Sequence, residues 1–181
     1  MIPGSTLLHI YDADDFSIDL TASVRRNSPF TSMLDRVHAV PVHGGFEGLF
    51  RALDDLVKDG RRFSRALFET HGSTGKIYFG GDEISGRTFK LSFAGRSYHT
   101  IFPFMNTRIY FNGCNVADEP EGWDFLDSAG GLFLRTGGGV TFAQTGLGRP
   151  IIVTGHVHHF GSSTSYSAWA PGGYFLGHVT D

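Results

Sequence analysis

Short apolar runs alternate along the chain with one strongly amphipathic stretch and with glycine-rich breaks. Residues 6–11, Thr-Leu-Leu-His-Ile-Tyr, are closed by Asp12-Ala-Asp-Asp15 and read as a buried first strand followed by an acidic loop. Residues 37–42 predict a second strand, and Pro41 within it points to a sheet edge. Between them, residues 16–36 are mixed and polar and are broken by Pro29. They predict only a short helix over 32–36. Phe46, Leu49, Phe50, Leu53, Leu56 and Val57 then recur at three- and four-residue spacing. This predicts a helix over 46–59, stopped by Gly60.

The run at 65–70 predicts a third strand, which ends in His71-Gly72. Residues 75–91 read as a hairpin: a strand at 76–79, a Gly80-Gly81-Asp82 turn, then further short strands. Residues 93–104 read as a connecting helix or loop, and 107–111 as the strand that leads into Asn112-Gly113-Cys114. A helix is predicted over 121–134 despite Gly130-Gly131. Thr136-Gly-Gly-Gly139 turns into a strand at 140–143, and late strands are predicted at 151–158 and 174–179. This alternation predicts one α/β domain over residues 1–181, with a mostly parallel sheet and an antiparallel hairpin insertion.

Composition narrows the class. A chain of 181 residues with 40% hydrophobic content can bury a proper core, and its 17 Phe residues favour an aromatic one. The net charge of −3, with no basic block, argues against nucleic acid as a partner. No signal peptide and no apolar run long enough for a membrane helix are apparent, so a soluble, cytoplasmic protein is expected. A single cysteine excludes an internal disulfide and the Cys-rich zinc patterns. No cofactor motif emerges. Gly72-Ser-Thr-Gly75-Lys76 lacks the spacing of a phosphate loop. His156, His158 and His159, with His178, could begin a metal site, but no carboxylate stands at ligand spacing and no metal is assigned.

The lone Cys114 and His71 each follow a predicted strand, where active sites of parallel α/β sheets form. A thiol beside an imidazole can act as a nucleophile, the imidazole taking and returning the proton. Gly72 and Cys114 would supply backbone N–H groups to an oxyanion. The plainer reading is a buried thiol and an unrelated loop histidine. No Asp or Asn offers itself as a third residue to orient the imidazole, so the pair reads as a dyad.

These motifs resemble the caspase, gingipain and separase group of cysteine peptidases, in which one strand precedes His-Gly and a later one precedes the Cys. They are closer still to bacterial caspase-like domains of unknown function. The matching residues are Thr70-His71-Gly72, Ile77-Tyr-Phe-Gly80, Phe111-Asn-Gly-Cys114-Asn-Val-Ala117, Gly122-Trp-Asp-Phe-Leu126 and Thr136-Gly-Gly-Gly-Val-Thr141, so the resemblance spans about residues 6–146. The Gln-Ala-Cys-x-Gly context of true caspases is absent. The resemblance implies a caspase-like three-layer sandwich, helices on both faces of the sheet. It also implies a cysteine endopeptidase acting on peptide or protein substrates as a monomer or homodimer, with catalytic residues His71, Gly72 and Cys114. Asp12, and after it Asp15, would lie beside the substrate pocket and favour a basic residue there. The same acidic turn also reads as solvated or helix-capping. The alternative function is a non-proteolytic caspase-like module that binds a protein partner.

Overall fold

The computed structural model describes residues 6–27, 36–151, 156–160 and 163–181. Its centre is a seven-stranded sheet in the order β12-β11-β8-β7-β3-β1-β2. The strands β1 (Leu7–Asp12), β2 (Val37–Val42), β3 (Arg65–Glu69), β7 (Thr107–Asn112) and β8 (Gly139–Gln144) run parallel. At one edge, β11 (Thr164–Ala170) and β12 (Tyr174–Thr180) turn back antiparallel. At the other edge stands β2, where Pro41 costs no interior ladder bond.

Alternation along the strands sorts the two faces. Leu8, Ile10, Ala66, Phe68, Ile109 and Phe111 join one cluster with α2 (Gly45–Lys58), α3 (Gly86–Ser92) and α4 (Glu121–Phe133). Its centre is aromatic: Phe89 lies 5.4 Å from Phe125 and 5.9 Å from Phe133, ring centre to ring centre. On α2, Leu49, Leu53 and Leu56 are buried at the predicted spacing, and Gly60 follows in the left-handed conformation that ends the helix. Helix α1 (Phe16–Asn27) packs on β1, and its buried Ala22 stands outside that cluster, as do Tyr11 and Leu67 of the second face.

Beside the main sheet lie a three-stranded sheet, β4 (His71–Ser73), β5 (Lys76–Phe79) and β6 (Asp82–Ser85), and a hairpin of β9 (Leu147–Ile151) and β10 (His156–Phe160).

Four expectations need correction. Residues 16–27 form a helix where the sequence showed no apolar stripe, because α1 buries the small Thr21 and Ala22 while Phe16 stays 81% exposed. Residues 86–92 form helix α3 instead of further strands. Ser85 and Thr88 cap it reciprocally, side chain to backbone at each end of the box. The strand expected over 151–158 is split between β9 and β10, which pair antiparallel. Strand β11 was not foreseen, its apolar residues being interleaved with Ser165 and Ser167. Most of the short helix expected over 32–36 lies outside the described residues.

Candidate active site

Strand order places the site. Chain progression reverses at β1, which passes to β2 on one side while β3 and β7 continue on the other. A crevice therefore opens at the C-terminal ends of β1 and β3. Asp15 follows β1, His71 follows β3 and Cys114 follows β7, so three loops deliver side chains to that edge.

Two glycines make the approach possible. A Cβ on Gly72 would lie 2.5 Å from Val116 Cγ2 and 2.9 Å from Gly113 Cα. One on Gly113 would lie 2.9 Å from Gly72 Cα in turn. The backbones after His71 and before Cys114 thus touch directly, a proximity that only glycine at both positions permits. The Cys114 loop is fixed further by Asn115, left-handed at φ 53°, whose N–H donates to the Gly146 carbonyl at 3.0 Å. Gly75 N–H reaches the Val116 carbonyl at 3.1 Å, tying the hairpin of β4 and β5 to the same loop.

His71 and the half-buried Cys114 line one cleft of about 60 Å³, closed on one side by Ser17, Ile18 and Thr21 of α1. His71 Nε2 lies 3.2 Å from Asp15 Oδ2. The other oxygen of Asp15 accepts the N–H groups of Ser17 at 2.9 Å and Ile18 at 3.1 Å, and the Ser17 hydroxyl at 2.6 Å. One carboxylate thus caps α1 and holds the imidazole. Partial burial raises its proton affinity, but the Ser17 hydroxyl, the Ile18 amide and the His71 charge outweigh that and leave Asp15 below the ordinary value. An ionised Asp15 can only accept, so neutral His71 carries its proton on Nε2 and presents a lone pair at Nδ1.

The sulfur's hydrogen-bond partner among the described residues is Gly148 of β9. Its N–H donates to Sγ at 3.2 Å, and the thiol faces its carbonyl at 3.7 Å. Nothing in the sequence pointed to this contact, because β9 was not foreseen as a separate strand. Asp15 as a partner of the imidazole was missed too. Its position one residue before a helix start was the available signal, hidden by the unpatterned α1.

Asp12 does not line that cleft. It is 3% exposed, and its two oxygens accept Asp14 N–H at 3.2 Å and Gly80 N–H at 3.0 Å. Burial raises its proton affinity against these two bonds. It ties the end of β1 to the β5–β6 turn. Asp14 does the same toward α2, accepting Gly44 N–H at 2.6 Å and meeting His43 Nδ1 at 2.8 Å.

His178 is bound to Asp127 Oδ1 at 2.7 Å and stacked on Trp123. The side chains of His156, His158 and His159 lie outside the described residues. No group of three metal-binding side chains occurs among the described residues, and no helix there is long and apolar enough to cross a membrane. The chain matches no protein-family model and no curated protein sequence.

Proposed function

We propose that the protein is a cysteine peptidase, on the observation that Cys114 and His71 share one cleft while Asp15 engages Nε2 of the imidazole. In this reading His71 Nδ1 takes the thiol proton and the Cys114 sulfur attacks the scissile carbonyl carbon. The N–H groups of Gly72 and Cys114 face the resulting oxyanion. His71 then returns the proton to the leaving amine, and water hydrolyses the acyl-enzyme. Asp15 fixes the tautomer and steadies the imidazolium between these steps, extending the dyad to a triad.

Substrate preference is less constrained. Asp12 and Asp15 each have both oxygens engaged, so recognition of a basic side chain would require one of them to release a partner. The cleft of about 60 Å³ is small, and the Gly148 N–H already occupies the sulfur. That contact favours the second reading, a caspase-like module that binds a protein partner and cuts nothing. Acyloxymethyl-ketone peptides ending in Arg, Lys or Asp separate the two. Labelling of wild type at Cys114, lost in His71→Ala, supports the peptidase. Absence of labelling across the whole panel, with no turnover of matching peptide substrates, supports the binding module.

A further inference from the structure

A second, larger cleft of about 390 Å³ lies between α3, α4 and Trp169, within the size range of small-molecule sites. Its floor is apolar, made by the buried rings of Phe89 and Phe93 with Leu132 and Trp169. Its rim is rich in cations. Lys90, Arg96 and Arg135 face one carboxylate, Asp127, in a protein of net charge −3.

The rim charges are not equally engaged. Lys90 pairs with Asp124, and Arg96 with Asp54 at 3.2 Å. Asp127 already accepts the Ser167 hydroxyl at 2.6 Å and His178 Nε2 at 2.7 Å. Arg135 has no ion pair or side-chain hydrogen bond among the described residues. Its field is nonetheless felt: burial first, then the Arg135 charge, lowers the proton affinity of His99 in the same cleft.

A glycine keeps the floor open. Gly131 is exposed within α4, where glycine costs about 1 kcal/mol relative to alanine. Packing does not require it, since a Cβ there would meet Trp169 at an ordinary 3.5 Å. What its absence of side chain does is leave the edge of the indole uncovered in the cleft that Arg135 also lines.

We propose that this cleft binds a small organic oxyanion with a flat aromatic body, the ring packing against the uncovered edge of Trp169 and the carboxylate, sulfonate or phosphate group held by Arg135. The site is separate from Cys114 and does not depend on the peptidase reading. The test uses the full chain with 8-anilinonaphthalene-1-sulfonate, and with its uncharged counterpart N-phenyl-1-naphthylamine as control, read by fluorescence titration. Saturable one-to-one binding of the sulfonate is expected, at least fivefold tighter than the neutral compound. Naphthalene-2-carboxylate should compete for it. Arg135→Gln should weaken it at least fivefold, and Gly131→Leu, which fills the floor, should do the same, with both variants shown to be folded by thermal denaturation. Cys114→Ser should bind as wild type. Absence of saturable binding overturns the proposal, as does any smaller preference for the anion or an Arg135→Gln affinity within fivefold of wild type.

Discussion

Asp15 carries two loads on two oxygens, and the loads can be separated. Oδ1 caps α1 and Oδ2 meets His71. Asparagine caps a helix about as well as aspartate, so Asp15→Asn should keep thermal stability within about 0.5 kcal/mol of wild type. It cannot hold the same tautomer, however. If the triad operates, peptide turnover should fall by roughly 10²- to 10⁴-fold, as expected when the orienting carboxylate is lost. Asp15→Ala should lose about 1 kcal/mol of stability as well. Equal turnover in wild type and Asp15→Asn, measured with the same peptide, would remove Asp15 from the mechanism. The residue types of the site were readable in advance, because His71-Gly72 and Gly113-Cys114 stand at the ends of clear apolar runs. The work done by Asp15 was not, since a carboxylate in an acidic turn looks the same whether it faces water, a helix end or an imidazole.

Among the elements, legibility followed the size of the buried side chains. Helix α2 declares itself through Leu49, Leu53 and Leu56, β1 and β3 through continuous buried runs, and β7 through the buried Ile109 and Phe111 in alternation. Helix α1 buries Thr21 and Ala22, and β11 buries Ser165 and Ser167, so neither shows an apolar pattern. Helix α4 was recognised in spite of its two adjacent glycines, and these have opposite reasons for being there. A Cβ on Gly130 would fall inside the indole of Trp169, whereas one on Gly131 would meet only ordinary contact. Gly130→Ala should therefore destabilise by about 1–3 kcal/mol through overpacking. Gly131→Ala should stabilise by about 0.5–1 kcal/mol, through helix propensity and reduced freedom of the unfolded chain. Denaturant titration of the pair checks both signs. A shift in the same direction for both would contradict this account of Trp169 packing.

For the whole molecule, Asp12 at the end of β1 and Asp14 and Asp15 just after it act as fasteners between otherwise separate parts. Asp12 reaches the β5–β6 turn, Asp14 the start of α2, and Asp15 the start of α1 and His71. Their response to acid differs in sign. Asp14 is held below the ordinary carboxylate value near 3.8 by the Gly44 amide and then by His43, and Asp15 is also lowered on balance. A carboxylate lowered by folding lends stability that is present above its unfolded value and lost as pH falls through its folded one. Asp12, raised by burial, works in the opposite direction and favours the folded state as it protonates. Asp14 therefore lends stability that is lost as pH drops below about 4, and Asp14→Ala should flatten whatever decline is seen there. Melting temperature followed from pH 6 to pH 2.5 tests this, and parallel curves for the two proteins would dismiss Asp14 as a contributor.

The backbone contact between Gly72 and Gly113 has a consequence for how the chain can vary. Every replacement at either position adds at least a Cβ, and each Cβ would strike the opposite strand end. Cys114 and His71 differ: their side chains line a cleft, and a smaller residue there removes a thiol or an imidazole without forcing the backbones apart. Saturation mutagenesis would sort the four positions by the trait selected. Under selection for folded protein alone, the two glycines should be intolerant while Cys114 and His71 accept substitution. The positions least free to change would then be those that bear no functional group at all.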